Sequence, residues 1–173
     1  MIRTLKITAL FAVITFTIAA HTTRMVDAAP GQIAPDFELT ATDTKTDDST
    51  ASSRSFYISD LKGEYVLVNF WSTTDAASRV AAGSYDQLMK DNDFGGCLNL
   101  LNLNFDDNEA LFEAIVRQDG LDTAMQYHLQ GEAADRIAKS YHLDEGFRAL
   151  LLDPSGKIIA VNPTPTDIAS LVI

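Results

Sequence analysis

The chain has 173 residues, 46% of them hydrophobic, and a formal net charge of −11 at pH 7. That length and apolar content suit one domain with a substantial core. An acidic surface repels phosphate backbones and anionic headgroups, so we expect neither nucleic-acid binding nor binding to a membrane surface. Because the chain contains a single cysteine, Cys97, an internal disulfide is excluded.

The first 28 residues have the pattern of a secretory signal peptide. Arg3 and Lys6 precede an apolar run over residues 7–20, and a small-residue cleavage pattern ends at Ala28. Spanning a bilayer needs roughly 20 apolar residues, more than this run provides. We therefore expect cleavage and export to the periplasm, with anchoring through residues 7–20 as the alternative. Cleavage would remove three basic residues and one acidic residue, which changes the net charge to −13.

The segment that follows is expected to form one domain over residues 29–173. It begins with a proline-punctuated stretch over residues 29–39 that leads into a short strand. Residues 40–55 are almost wholly polar and small, which predicts a mobile loop or a frayed hairpin. The β-branched and aromatic run over residues 65–70 predicts a central strand buried on both faces.

A helix is predicted from Asp75 to Lys90. Small and apolar residues recur in it at three- and four-residue spacing, so we expect this face to pack against the sheet: Ala77, Val80, Ala81, Ser84 and Leu88.

The second half of the chain continues the alternation of strands and helices. The predicted elements are a strand over 97–105, a helix ending at Gly120, a helix through Ile137, a hairpin turning at 153–156 and a helix from about Thr166. This order predicts an α/β fold with a mixed sheet.

Four stretches resemble the exported thioredoxin-like proteins of the TlpA/ResA group, which are related to the AhpC/TSA families. They are "APDFEL", "DLKGEYVLVNFWSTT", "LNFDD" and "LLLDPSGKIIA". The resemblance spans about residues 34–173. It implies a thioredoxin-like fold, in which helices flank a central mixed β-sheet with an N-terminal strand extension.

The working motif of that family is Trp-x-x-x-Cys-x-x-Cys-Arg. Counting from Trp71 places Asp75 and Ser78 where the two cysteines would stand, whereas Arg79 matches the family arginine. Thiol–disulfide exchange requires a thiolate, and neither a carboxylate nor a hydroxyl replaces it. We therefore expect no dithiol redox chemistry at this degenerate site.

The family also has a cis-proline before its terminal hairpin. Counting back from Asp153 places Phe147 at that position, after Gly146. A cis bond before a residue other than proline costs about 2.5–4 kcal/mol, so we expect a trans bond and a groove reshaped by Phe147. Arg148 comes next, and we hypothesise that it forms a salt bridge with Asp75 across the old redox centre.

Two interpretations apply to Asp75. As a helix N-cap it would accept free N–H groups and contribute about 1 kcal/mol, and as a binding or acid–base residue it would face a ligand. We expect Arg79 to pair with Asp75 or Asp86.

The mature chain has two histidines, His128 and His142, whose spacing does not match a metal-binding pattern. A Ser78 nucleophile would need one of them as a base and an oxyanion hole as well. With one cysteine and no short-range His/Asp cluster, we expect no metal site. Three acidic residues around a helix start are ascribed to compensation of the helix dipole rather than to calcium binding: Asp106, Asp107 and Glu109.

Cys97 opens the second predicted strand beside Leu98. We expect it to be a small buried hydrophobe, with an exposed thiol as the alternative. The sequence thus predicts an exported thioredoxin-fold protein that binds or scaffolds an unidentified protein or peptide, without a cofactor. Thiol-disulfide or antioxidant activity through Cys97 and hydrolysis through Ser78 are the alternatives.

Overall fold

The computed structural model describes residues 29–43 and 52–172. The predicted signal peptide and residues 44–51 of the predicted loop lie outside these ranges. The described helices and strands are β1 (Glu38–Asp43), β2 (Ser52–Tyr57), β3 (Tyr65–Trp71), α1 (Ala76–Asp91), β4 (Leu98–Asn104), α2 (Glu109–Asp119), β5 (Gln126–His128), α3 (Gly131–Ser140), β6 (Ala149–Leu152), β7 (Ile158–Val161) and α4 (Pro165–Val172).

The strands form one mixed five-stranded sheet and one hairpin. The order in the sheet is β5-β4-β3-β6-β7, in which β3, β4 and β5 are parallel and β6 is antiparallel to both β3 and β7. Strands β1 and β2 pair antiparallel and enter the predicted 40–55 loop from both sides. The predicted α/β class with a central mixed sheet is therefore confirmed.

The run that forms β3 is buried on both faces, as its composition predicts. Val68 and Phe70 pack on the face covered by α3 and the β1–β2 hairpin. Leu67 and Trp71 pack on the opposite face, which α1, α2 and α4 cover. Each such side chain contributes roughly 1.5–3 kcal/mol through burial of apolar surface, so β3 is the centre of the core.

Helix α1 packs on the sheet through a different face from the predicted one. Of the predicted set only Leu88 is buried, and Val80 has 69% of its surface exposed. The buried positions of the helix are Ser78, Ala82, Tyr85, Asp86 and Leu88. The prediction was wrong because apolar residues occupy two faces of α1, and the face with the larger Tyr85 and Leu88 covers the sheet.

The predicted helix end at Gly120 and the predicted turn at 153–156 are both confirmed. Helix α2 ends at Gly120, whose φ of 66° lies in the left-handed region that glycine favours. The turn at 153–156 joins β6 to β7 and is closed by the Asp153 carboxylate, which accepts the Ser155 hydroxyl at 2.6 Å and the Lys157 N–H at 3.0 Å. These hydrogen bonds, led by that from the Ser155 side chain, lower the pKa of Asp153.

Replacing Tyr85 by Phe should lower the free energy of unfolding by about 1 kcal/mol, because the buried hydroxyl donates to the Pro163 carbonyl at 2.8 Å. Burial raises the pKa of Tyr85 to about 12. Its contribution to stability is therefore complete below about pH 10 and is lost as the pH rises toward the folded pKa. Urea unfolding at neutral and alkaline pH measures both effects.

The matched control is Tyr57→Phe, since Tyr57 has 47% of its surface exposed. It should leave both the neutral and the alkaline stability unchanged. Equal losses in the two variants would contradict a specific role for the Tyr85 hydroxyl.

Candidate functional site

The degenerate site lies at the carboxyl end of β3, where the chain turns into α1. Trp71, the last residue of β3, is fully buried. Its ring lies 6.0 Å from that of Phe112 on α2 and packs against Ala82 on α1. Within the described residues its indole N–H has no hydrogen-bond partner. Trp71 therefore supports the site from below and does not face a ligand.

Asp75 and Ser78 are bonded to each other at the start of α1. The Asp75 Oδ1 atom accepts the Ser78 N–H at 2.7 Å, and the Ser78 hydroxyl donates to the Asp75 carbonyl at 3.2 Å. The Ser78 Oγ atom also accepts the Ser72 N–H at 3.3 Å. The N-cap interpretation of Asp75 is confirmed, and the Ser78 backbone and side-chain hydrogen bonds lower the pKa of Asp75.

Arg79 pairs with Asp119, and both predicted partners were wrong. Its Nε and Nη2 atoms each donate to an Asp119 carboxylate oxygen at 2.7 Å. The pair joins the first turn of α1 to the last residue of α2, raising the pKa of Arg79 and lowering that of Asp119. Asp86 lies on the buried face of α1, where Lys90 and the Asp122 N–H bind it.

Arg148 does not reach Asp75, so the hypothesis of a salt bridge across the site was wrong. Its Nη2 atom donates to the His142 carbonyl at 3.0 Å, and the Glu145 carboxylate lies 3.8 Å away. The guanidinium is bound by the turn before β6. The Asp75 carboxylate instead accepts the Ser78 N–H.

The peptide bond before Phe147, the residue that the resemblance aligns with the family cis-proline, is trans as expected. Its ring lies 6.0 Å from that of Phe105, and the partly buried side chain packs against the core.

A groove of about 370 Å³ remains beside the degenerate site, and we call it the α1 groove. It lies between α1 and the two chain segments 147–149 and 162–165. Its lining residues are Asn69, Phe70, Ala77, Ser78, Val80, Ala81, Ser84, Tyr85, Phe147, Arg148, Ala149, Asn162, Pro163, Thr164 and Pro165. Of the site residues named from the sequence, the structure brings Ser78, Phe147 and Arg148 to this groove.

Asp106 has a structural role that the sequence analysis missed. Its carboxylate is buried and accepts the Ser72 hydroxyl at 2.7 Å, the Thr73 N–H at 3.1 Å and the Asn104 side-chain amide at 2.8 Å. It therefore ties the loop before α1 to the end of β4. The signal in the sequence is the pair Asn104 and Asp106, since the Asn104 side chain in turn accepts the Asp106 N–H at 3.0 Å.

The helix-dipole interpretation of the acidic residues therefore fails for Asp106. The N-cap of α2 is Asn108, whose Oδ1 atom accepts the Leu111 N–H at 3.1 Å. Glu109 does lie in the first turn of α2, where its charge complements the helix dipole.

His128 stabilises the same edge of the sheet. Its Nε2 atom lies 2.7 Å from the Asp106 carbonyl, and its ring stacks on Phe112 with 4.9 Å between centroids. Because a carbonyl only accepts, this geometry assigns the ring proton to Nε2. In the described chain neither His128 nor His142 hydrogen-bonds Ser78, so the arrangement gives Ser78 no base.

Cys97 is exposed, and the expectation of a buried residue was wrong. It precedes β4, whose buried run begins one residue later at Leu98. The degenerate site adjoins the other end of the parallel strands, and a seven-residue strand is roughly 20 Å long. Cys97 therefore lies at the amino end of the parallel strands, whereas Asp75 lies at their carboxyl end.

Over the two described ranges, no group of three or more His, Cys, Asp or Glu side chains is arranged to hold a metal ion. No helix in this part of the chain is long and apolar enough to cross a bilayer.

No protein-family model and no curated protein matches the chain. Among solved structures, a thioredoxin-like protein from Parabacteroides distasonis is 26% identical, covers 84% of this chain and 96% of its own, and gives a TM-score of 0.64. The thioredoxin domain of a thiol-disulfide oxidoreductase from Bacteroides vulgatus is 25% identical over 83% and 95% of the two chains, with a TM-score of 0.65.

A thiol:disulfide interchange protein from a Bacteroides species is also similar. It is 25% identical, covers 83% of this chain and 88% of its own, and gives a TM-score of 0.64. The chain described here therefore has a thioredoxin-like fold, and its structural neighbours include thiol-disulfide oxidoreductases.

Replacing Asp106 by Ala should lower the free energy of unfolding by about 2–4 kcal/mol, because two buried donors and one partly buried donor lose their acceptor. Urea unfolding measures this loss. Asp107→Ala is the matched control, since Asp107 is exposed and should change stability by less than about 0.5 kcal/mol. Similar losses in both variants would show that Asp106 does not hold the loop.

Asp75→Ala should lower stability by about 1 kcal/mol at neutral pH, whereas Asp75→Asn should nearly preserve it, because Asn is also a good N-cap. The folded-state pKa of Asp75 lies below its ordinary value of 3.8. Its ionisation therefore stabilises the fold above that value, and the effect is lost as the pH falls through the folded pKa.

Thermal unfolding between neutral pH and about pH 3 tests this linkage. Asp75→Asn should reduce the acid-induced loss of stability relative to the unaltered protein. An unchanged acid dependence in Asp75→Asn would contradict the assignment of this linkage to Asp75.

Proposed function

We propose that the chain is an exported thioredoxin-fold protein of the TlpA/ResA type that has lost the redox cysteine pair and binds a polypeptide without catalysis. The observation that carries the proposal is the mutual bonding of Asp75 and Ser78 at the start of α1, with 2.7 Å between Asp75 Oδ1 and Ser78 N. The Asp75 carboxylate and the Ser78 hydroxyl both form hydrogen bonds within the first turn of α1.

The chemistry of the site supports a non-catalytic role. Disulfide exchange proceeds through a thiolate and a mixed disulfide, and peroxide reduction proceeds through a sulfenic acid. The Asp75 carboxylate and the Ser78 hydroxyl form neither species. Cys97, the single thiol of the chain, lies at the opposite edge of the sheet and has no second cysteine to resolve a mixed disulfide.

The shape of the surface supports a polypeptide as the ligand. The α1 groove is open along one side, and its wall includes Val80, an apolar side chain with 69% of its surface exposed. Phe147 supplies an aromatic wall on the other side. An open groove with an exposed aliphatic wall suits a chain segment better than an enclosed small molecule.

The pattern of residues 1–28 supports export. A basic start, an apolar run over residues 7–20 and a small-residue cleavage pattern are typical of secretory signals. The proposed location is the periplasm, with anchoring through residues 7–20 if the segment is not cleaved. The relation to AhpC/TSA proteins is part of this proposal and rests on the four quoted stretches.

Thiol chemistry at Cys97 is the second candidate, and its exposure favours it. A lone exposed thiol in an oxidising compartment reacts without refolding of the chain. Such an activity would be independent of the α1 groove.

Insulin reduction by the unaltered protein should not exceed the rate in buffer with dithiothreitol alone. The double variant Asp75→Cys with Ser78→Cys should form an internal disulfide and gain reductase activity, because the helix start that activates thiolates is intact. Mass spectrometry with and without reductant detects the disulfide, and turbidity follows the reduction of insulin.

The control for the second candidate is Cys97→Ser in the unaltered protein and in the double variant. It should change neither rate. Reduction of insulin by the unaltered protein that disappears in Cys97→Ser would overturn the non-catalytic proposal and establish thiol activity at Cys97.

A further inference from the structure

The start of the described chain is fixed to the outer edge of the sheet. Residues 31–34, which we call the N-terminal strap, run antiparallel along the beginning of β7. The Gly31 N–H donates to the Ile158 carbonyl at 2.7 Å, and the Ile158 N–H donates to the Gln32 carbonyl at 2.8 Å. Because β7 is the last strand in the sheet order, the strap covers an edge that no other strand of the described chain pairs.

The rest of the strap is held in the same way. Ile33 forms an isolated antiparallel bridge with Lys157, and the Ala34 N–H donates to the Gly156 carbonyl at 3.0 Å. The Ala34 side chain packs against the core, whereas Ile33 has 54% of its surface exposed. Backbone hydrogen bonds rather than a large buried apolar surface therefore hold the strap, and we expect it to open without global unfolding.

The strap begins close to the predicted cleavage point. The small-residue pattern ends at Ala28, so the predicted cleavage breaks the bond between Ala28 and Ala29. Two residues, Ala29 and Pro30, separate that bond from Gly31, and two residues span at most about 7 Å. The Ala29 carbonyl also accepts the Gln32 N–H at 3.2 Å. While the strap is docked, this bond therefore stays beside the edge of the sheet.

A docked strap restricts access to the bond. A protease cleaves a segment that is detached from folded structure, so a docked segment is cleaved through its open state. The rate of cleavage then falls with the population of that open state. Because the chain is fixed within two residues of Ala29, cleavage of a folded precursor requires the strap to open.

We propose that docking of the N-terminal strap on β7 protects the Ala28–Ala29 bond from a signal peptidase. The reaction is hydrolysis, in which water adds to the amide, leaving a carboxylate on Ala28 and an amino group on Ala29. Cleavage before docking releases the chain to the periplasm, and docking before cleavage leaves it anchored through residues 7–20. This inference rests on the proposed export and adds what decides between release and anchoring.

The test measures cleavage of the full-length precursor by a purified bacterial signal peptidase in detergent micelles. Gel electrophoresis gives the rate, and mass spectrometry identifies the new amino terminus. Val68→Asp supplies an unfolded full-length reference, because Val68 is fully buried and the variant places an unpaired charge in the core. Circular dichroism verifies the folding state of each variant, and a precursor of proven cleavage controls the activity of the enzyme.

Two insertions isolate the effect of the strap. A flexible Gly-Ser-Gly-Ser-Gly-Ser insert between Ala29 and Pro30 lengthens the connection to the bond and keeps the strap residues unchanged. The same insert between Asp47 and Asp48, in the segment that joins β1 to β2, is the matched control.

The folded precursor should be cleaved at least about tenfold more slowly than Val68→Asp. The insertion after Ala29 should restore most of the rate, and the insertion after Asp47 should not. Equal rates for the folded precursor and Val68→Asp would overturn the inference and leave the proposed export intact. Recovery with neither insertion, or with both, would do the same.

Absence of cleavage at Ala29 in Val68→Asp, when the control precursor is cleaved, would overturn the predicted signal peptide and the inference with it. If Val68→Asp remains folded, the comparison of the two insertions decides the inference.

Discussion

The hydrogen bonds accepted by the Asp106 carboxylate determine where the central strand ends and where α1 begins. By binding the Ser72 hydroxyl and the Thr73 N–H, Asp106 fixes the loop at the carboxyl edge of the sheet. That loop in turn delivers Asp75 to the helix start, where it bonds the Ser78 N–H. A buried carboxylate with three donors holds its conformation firmly, because leaving any of the donors unpaired is costly. The groove beside α1 includes Ser78, which lies in the helix turn that follows this loop.

Below the loop, the face of the sheet under α1 is unusually polar for a core. Asn69 and Asn102 are directly opposite on β3 and β4, and the Asn69 Nδ2 atom donates to the Asn102 side-chain oxygen, Oδ1, at 3.0 Å. Gln126 lies next in this row on β5, and its side-chain amide has no hydrogen-bond partner within the described residues. Aligned amides of this kind favour a single register, since a shift of one residue would bury them against apolar neighbours. The Asn69–Asn102 hydrogen bond and the Asp106 network thus both link β3 to β4 near the carboxyl ends of these strands.

Local patterns in the sequence predicted the features that depend on local chemistry. The apolar run of β3, the end of α2 at Gly120 and the turn before Lys157 each follow from a few adjacent residues. The predictions that were wrong concern features that depend on tertiary packing. Helix α1 has two apolar faces, and only the sheet selects between them. Arg79 meets Asp119 because α2 ends beside α1, which no spacing within α1 shows. Cys97 is exposed because the buried part of β4 begins at Leu98.

Under the proposal that Asp75 stands where the family has a cysteine, its role as N-cap explains how the helix start is kept without the thiol. A helix N-terminus stabilises any anion through free N–H groups and the macrodipole, whether it is a thiolate or a carboxylate. Asp therefore keeps the stabilising interaction, while the reactivity of sulfur is absent. The groove next to it is lined by other residues, among them Val80 and Phe147.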